Sequence, residues 1–361
     1  PLRALTLMLR VLLLARSVAA AAPAPTADPQ YLIFWRDPAT VPVLVSSIGV
    51  TGDGVSRQLG FGVFLRTYMQ EAQIPGLIGQ AFQTAKANNV AVHFAFDSHY
   101  FWDNRPDLWN WFDPSTSGFN PANAANVERS DWTATPGTVN KARYLDWGAP
   151  QKLAPHMCYT SPALRQEIAR IVSSVIAPAL IAGINDLNSQ GKGSLFAGIT
   201  VGSEPSLDNY AAIDVLDPAL GNFMAQDGAP KVRLGYCAMN AMGFSAANPP
   251  PDIPAALAAV NQDFISFWAQ QFARAGIPSS RLYTHVAGGG LDPKVLTFNN
   301  APIDVAFNAY SRPGWSSYPD GPLAASLDPL YDSLQNHGNP SWGGVEANAA
   351  GLGNSSTVAW Q

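Results

Sequence analysis

The stretch Leu195-Phe196-Ala197-Gly198-Ile199-Thr200-Val201-Gly202-Ser203-Glu204-Pro205-Ser206 reads as a short apolar strand that stops at Gly202-Ser203-Glu204-Pro205. An apolar run closed by Gly and Pro is a strand signal. The glutamate at its end is the unusual part. Only five glutamates occur in 361 residues: Glu71, Glu128, Glu167, Glu204 and Glu346. The last of them closes a second short run, Ser341-Trp342-Gly343-Gly344-Val345-Glu346-Ala347-Asn348. An ionised carboxylate at the edge of a buried strand is costly unless it is paired or used. Glu204 and Glu346 are therefore read as two halves of one active site.

Outward from this strand, helices and strands alternate. Ser161-Pro162-Ala163 opens a long helix to about residue 189, with Ser161 as N-cap and Pro162 in the first position. Apolar residues at helical spacing (Ile74, Leu77, Ile78, Ala81, Phe82, Ala85) predict a helix over 74–88, and 90–97 follows as a buried strand. Two early runs, 31–35 and 41–50, read as strands. Downstream come a helix at 253–275, strands at 281–287 and 303–310, a helix at 327–337 and the Glu346 strand. Apolar, non-alternating strands interleaved with helices predict a parallel α/β sheet. Asp97, Glu204, His285, Tyr310 and Glu346 all fall at predicted C-terminal strand ends, where a (β/α)8 barrel builds its active site. An open doubly wound sheet would usually bring a Gly-rich phosphate loop, and GxGxxG is absent. The expected fold is a (β/α)8 TIM barrel over 31–361 with long βα loops. With no eighth strand in view between Glu346 and Gln361, that barrel is expected to lack its last unit.

Composition narrows the partners. The net charge is −5 and no Lys/Arg cluster occurs, so no nucleic acid is expected and substrates are expected to be neutral. Residues 1–22 resemble a secretory signal peptide, with Arg3 ahead of an apolar run and small residues at Ala19–Ala22; 23–30 read as a linker. No run of about 18 uninterrupted apolar residues occurs, so the mature chain is not expected to insert in a membrane. A secreted or periplasmic location follows. In that setting Cys158 and Cys237, the two cysteines, form one disulfide or remain two buried thiols. Residues 98–160 and 206–250 are long excursions. Five of the ten tryptophans lie in the first (Trp102, Trp109, Trp111, Trp132, Trp147), and the Trp102–Trp111 cluster reads as a sugar platform or as a core of the loop itself.

Glycoside hydrolysis requires two carboxyl groups flanking the scissile bond, one protonated and one ionised. Two glutamates on rigid strand ends suit that task. The pattern resembles clan A of the glycoside hydrolases, TIM-barrel retaining enzymes with their glutamates on strands four and seven. Val201-Gly202-Ser203-Glu204-Pro205 is similar to the clan's Asn-Glu strand end, with Ser203 in place of the asparagine that holds the sugar 2-hydroxyl. The resemblance implies Glu204 as acid/base, Glu346 as nucleophile, and Tyr310 or His285 as a contact to the nucleophile. Asp97, His99, Trp102, Asn308, Arg312, Trp315 and Trp342 are the further candidate substrate contacts. The expected substrate is an oligo- or polysaccharide, with no metal and no cofactor. The alternative is a carbohydrate-binding barrel without catalysis. A serine hydrolase is disfavoured because the Gly-x-Ser-x-Gly elbow is absent.

Overall fold

A computed structural model of the chain describes residues 29–65, 71–146, 148–202, 204–207, 209–287, 301–317 and 327–347, without the side chains of His99 and Tyr100. The expected signal peptide, most of the linker, Ser203 and the His99 side chain lie outside the described residues.

Strand β1 (Gln30–Trp35) pairs with β2 (Arg57–Leu65), β2 with β3 (Ala91–Phe96), and an antiparallel hairpin of β4 (Arg143–Asp146) and β5 (Pro150–Leu153) stands apart. Then β3 pairs with β6 (Phe196–Val201) and β6 with β7 (Leu282–Thr284), completing a five-stranded, wholly parallel sheet. A second parallel sheet holds β8 (Val286–Ala287), β9 (Gly314–Ser317) and β10 (Gly343–Ala347). His285 alone separates β7 from β8. The segment entering β9 runs along β7, because Arg312 N donates to Leu282 O (2.8 Å) and Thr284 N donates to Arg312 O (3.0 Å). The two sheets thus continue as one curled row. Among the described residues nothing hydrogen-bonds β10 to β1, so the parallel α/β expectation is met and closure of a full (β/α)8 barrel is not seen.

Side-chain size divides the two faces of the wall. On β2 the residues Leu59, Phe61, Val63 and Leu65 are buried against the helix layer. Their neighbours Gly60 and Gly62 face large β1 side chains. A Cβ on Gly62 would stand 2.3 Å from the Trp35 ring, and one on Gly60 would stand 2.5 Å from Ile33 Cδ1. The helices Ile74–Asn88, Pro162–Ile171, Ala177–Ser189 and Ile253–Arg274 cover the outer face with their apolar stripes. Ser161 caps one of them through Leu164 N and Asp252 another through Ala255 N. By length and composition the helical run Pro162–Ser189 would suffice to cross a membrane. It lies in the main core, with Leu164, Ile168, Val172, Ile176 and Leu180 buried.

Two element expectations are corrected. Residues 41–50 are not a strand: Val41–Ile48 is an α-helix that buries Val41, Leu44 and Ile48 and ends at Gly49, φ +78°. Spacing of three and four residues outweighed the β-branched composition. The second strand is Arg57–Leu65, whose glycines disguise it as a loop. Residues 303–310 are likewise not a strand, since Ile303–Ala306 is a 3-10 turn and the strand starts at Gly314.

The excursion 98–160 is ordered by its own polar contacts and by the second excursion. Cys158 and Cys237 form a disulfide, their Cα atoms 5.8 Å apart and 79 positions apart in sequence. Closing a loop of that length stabilises the fold by on the order of 4 kcal/mol in the chain-entropy account. Beside it lies the fully buried Glu128. Its carboxylate accepts from Gly235 N (3.1 Å), Cys237 N (3.0 Å) and Ala238 N (3.1 Å), at the start of the helix Tyr236–Ala241, and from Arg129 N (3.2 Å). Burial pushes Glu128 up to about 7, against the pull of those amides. A carboxyl whose folded value is raised binds more protons folded than unfolded between its two pKa values. Its stabilising contribution is therefore complete below about 4.5 and is lost as pH rises to about 7. In urea titrations the stability of wild type minus that of Glu128→Gln should fall across this window; a flat difference would refute the assignment.

Candidate active site

Strand β6 delivers Glu204. The backbone turns left-handed at Gly202 (φ +67°) and again at Glu204 (φ +39°). A residue with a side chain is strained there by about 1–3 kcal/mol. The turn is fixed on both sides: Glu204 N donates to His285 O (2.9 Å), and Pro205 locks the next φ.

Strand β10 delivers Glu346 by a different device. Gly344 stands opposite Trp315 and Glu346 opposite Ser316, so β10 carries one extra residue, Val345, at a bulge. Residues directly across a ladder share a face, and a regular strand would have set Val345 beside Ser316. The bulge re-aims the chain so that the glutamate arrives there.

Ser316 is the meeting point. Its Oγ lies 2.5 Å from His285 Nε2, 3.0 Å from Glu204 Oε1 and 3.1 Å from Glu346 Oε2. His285 Nε2 is 3.6 Å from Glu204 Oε1 and 3.7 Å from Glu346 Oε2. One oxygen of each glutamate and a nitrogen of His285 all lie within 4.8 Å of one another. The His285 side chain is 7% exposed, Glu204 20% and Glu346 33%, so the pair opens to solvent from the Glu346 side. A hydroxyl has one hydrogen to donate and two lone pairs. With His285 donating to Ser316, the serine donates to one carboxylate, and its remaining lone pair is satisfied when the other carboxyl carries a proton. One proton between the two glutamates therefore completes the network.

A neutral histidine stands in the wall behind the pair. His93 Nε2 is 2.7 Å from Thr200 Oγ1, and its ring lies 6.1 Å from Trp35 and 5.9 Å from Tyr283. Burial holds His93 down to about 3, so it stays neutral. Asp97 follows β3 on the same face as His93, two residues beyond the Ala95–Thr200 pair, and is buried on this rim.

The other candidates separate from the pair. Trp102 is buried in the main core and donates from Nε1 to Pro155 O (2.6 Å), while Trp109 Nε1 donates to Trp102 O (3.0 Å). These two indoles are committed to the core of the loop. Trp315 points to the helix side, fully buried, with Nε1 donating to Ile303 O (3.0 Å). Trp342 precedes β10, its ring 6.1 Å from Trp315 and 6.2 Å from Tyr331. Tyr310 accepts from Gln270 Nε2 (2.7 Å) on the helix layer. Arg312 donates from Nη1 to Tyr283 OH (3.2 Å), four residues before Ser316 and so about 13 Å along an extended strand. Asn308 accepts from Tyr310 N and Ser311 N and shapes that turn. These residues belong to the start of their strands. The late start of β9 carries them to the end opposite Glu204 and Glu346.

Ser316 itself is absent from the sequence expectation. Its signal is the period of two in Gly314-Trp315-Ser316, in which the bulky Trp faces the helices and the serine must face inward. Glu204, His285 and Glu346 stand close enough to share one divalent ion, but an ion there competes with the Ser316 hydroxyl for the same lone pairs. The other cluster of potential ligands, Glu128 with Cys158 and Cys237, has its sulfurs committed to the disulfide.

With one proton between them the pair carries a single charge; adding the second would cost about 3 kcal/mol at an effective dielectric of about 20, and less where water reaches Glu346. Together with the left-handed turn at Glu204, this is strain kept at a site. Glu204→Gln and Glu346→Gln should each raise stability by about 0.5–2 kcal/mol in urea. Loss of stability in both would mean that the carboxylates hold the fold together.

No family model and no curated protein matches this chain. Among solved structures it is similar to an inactive mutant of a GH20 exo-β-N-acetylglucosaminidase from Vibrio harveyi, at 7% identity and a TM-score of 0.39. The match covers 86% of this chain and 40% of that one. A likeness of this degree carries no argument about activity.

Proposed function

We propose that the protein is a glycoside hydrolase that cleaves a β-glycosidic bond with retention of configuration, using Glu204 and Glu346. The observation that carries this reading is the approach of the two carboxyl groups to within 4.8 Å, oxygen to oxygen, at the C-terminal ends of parallel strands. Retaining enzymes hold their carboxyl groups about 5–5.5 Å apart, and inverting ones leave about 6.5–9.5 Å for a water. Position in the row supports the clan A resemblance too. Glu204 follows the fourth strand (β6), and Glu346 lies in the seventh when β7 and β8 count as one.

In the proposed first step Glu346 attacks the anomeric carbon, and Glu204 gives its proton to the leaving oxygen as the glycosidic bond breaks. In the second, Glu204 takes a proton from water, whose oxygen displaces Glu346 and regenerates both carboxyls. His285 and Ser316 hold the two side chains in place through both steps, and Asp97 stands where it can contact sugar. The substrate in this reading is an uncharged oligo- or polysaccharide, in keeping with a chain of net charge −5 that has no Lys/Arg cluster. Export belongs to the same reading, and the Cys158–Cys237 disulfide suits an oxidising compartment.

Hydrolysis of a panel of aryl β-glycosides and neutral glycans is the first test. Glu204→Ala should lower kcat by about 10²–10⁴, and Glu346→Ala by at least as much. Chelation by EDTA should change nothing, because neither step uses a metal. If both variants keep wild-type rates, the catalytic reading fails; glycan binding without turnover would leave the carbohydrate-binding barrel. Proton NMR during the first minutes should show the β-anomer forming first, and the α-anomer would establish inversion.

A further inference from the structure

Two residues past Glu204, Ser206 is fully buried and is gripped from the excursion that precedes it. Arg143 Nη2 donates to Ser206 Oγ (3.1 Å), Tyr159 OH donates to Ser206 O (2.9 Å), and His156 Nε2 lies 2.7 Å from the same carbonyl. A carbonyl only accepts, so His156 donates from Nε2. Arg143, His156 and Tyr159 are themselves buried. Burying a guanidinium, an imidazole and a phenol is costly; Arg143 also stands near the Asp103 carboxyl and His156 Nδ1 lies 3.0 Å from Met157 O, but all three converge on Ser206. The gripping segment is anchored in turn. Glu128 N donates to His156 O (2.8 Å), the Tyr159 ring stacks on Phe264 at 3.9 Å, and Cys158 between them is fastened to Cys237.

We propose that Arg143, His156 and Tyr159 form a positioning clamp for Glu204, acting through Ser206. Only Pro205 separates the clamped serine from the glutamate, and its ring fixes φ. A shift of Ser206 therefore passes directly to a Glu204 backbone already held left-handed at φ +39°. The clamp sets where the Glu204 carboxyl stands relative to Ser316 and Glu346. None of the three residues touches the reacting atoms, so they are positioning residues. The inference rests on the reading of Glu204 as the acid.

Leaving groups provide the test. A displaced acid slows departure of poor leaving groups, which need the proton, and spares 2,4-dinitrophenolate, which does not. With 4-methoxyphenyl and 2,4-dinitrophenyl glycosides, Tyr159→Phe and His156→Leu should lower kcat/KM, which reports the first step alone, roughly 10- to 100-fold for the first and little for the second. His156→Gln, which keeps a donor, should recover part of the loss. Glu204→Ala is the control and should show the same selectivity in full. Clamp variants that slow both substrates equally, or neither, while the control is selective, overturn the clamp and leave the reading of Glu204 standing. A control without selectivity removes Glu204 as the acid, and the clamp with it. If His156→Leu does not fold, Tyr159→Phe, which loses one hydroxyl and keeps its stacking, decides the matter. Its amide exchange at Glu204 and Ser206 should also quicken over wild type, and unchanged exchange counts against the clamp.

Discussion

A single hydroxyl with one proton to donate stands between two carboxylates and an imidazole, and the architecture around it is arranged to bring those groups there. Ser316 can satisfy Glu204, Glu346 and His285 together only when the protons are correctly apportioned. Like-charged groups so close would separate if their backbones allowed it. They are held by strands, which resist lateral movement because each is hydrogen-bonded to its neighbour. The left-handed Glu204 turn and the Val345 bulge are local departures from regularity that the surrounding sheet over-determines.

The two excursions take a role that their composition conceals. The first is rich in tryptophan and asparagine and so resembles a ligand-facing loop. In the structure most of that aromatic surface is spent inward: Trp102, Trp109 and Trp111 donate to backbone carbonyls of the same segment. What reaches toward the site is polar and indirect, through Ser206. The disulfide and the Glu128 carboxylate hold the excursions to each other.

Much of the architecture was legible where periodicity was long. The helices at 74–88 and 253–274 follow from apolar spacing, and the strand before Glu204 from its Gly-Pro closure. Short segments failed for identifiable reasons. Val41–Ile48 has the composition of a strand and the spacing of a helix, and over eight residues spacing was the better guide. The β2 strand hid behind Gly60 and Gly62, since an alternation between apolar side chains and none does not look like a strand. The two glutamates drew notice through their rarity, but nothing local announces the Val345 bulge that aims one of them. Regular alternation would have faced Glu346 away from Ser316. Tyr310 and Arg312 precede β9 because a 3-10 turn moves the start of that strand downstream, which no local signal in the sequence announces. Ser316 is inconspicuous beside Trp315, although the tryptophan, by claiming the helix side, is what turns the serine inward.

The glycines of β2 carry a consequence for how this wall can vary. Trp35 and Gly62, like Ile33 and Gly60, face each other across one ladder step, and the larger side chain occupies the volume that a Cβ on its partner would need. Each such pair holds one parcel of space between two positions more than twenty residues apart. At Trp35 and Gly62 size can be traded across the pair but not added to either member alone, whereas Gly60 is held small by the Ala91 carbonyl as well. Related sequences should therefore change at Trp35 and Gly62 in step, small for large and large for small, while the curvature that sets the distance between Glu204 and Glu346 is preserved.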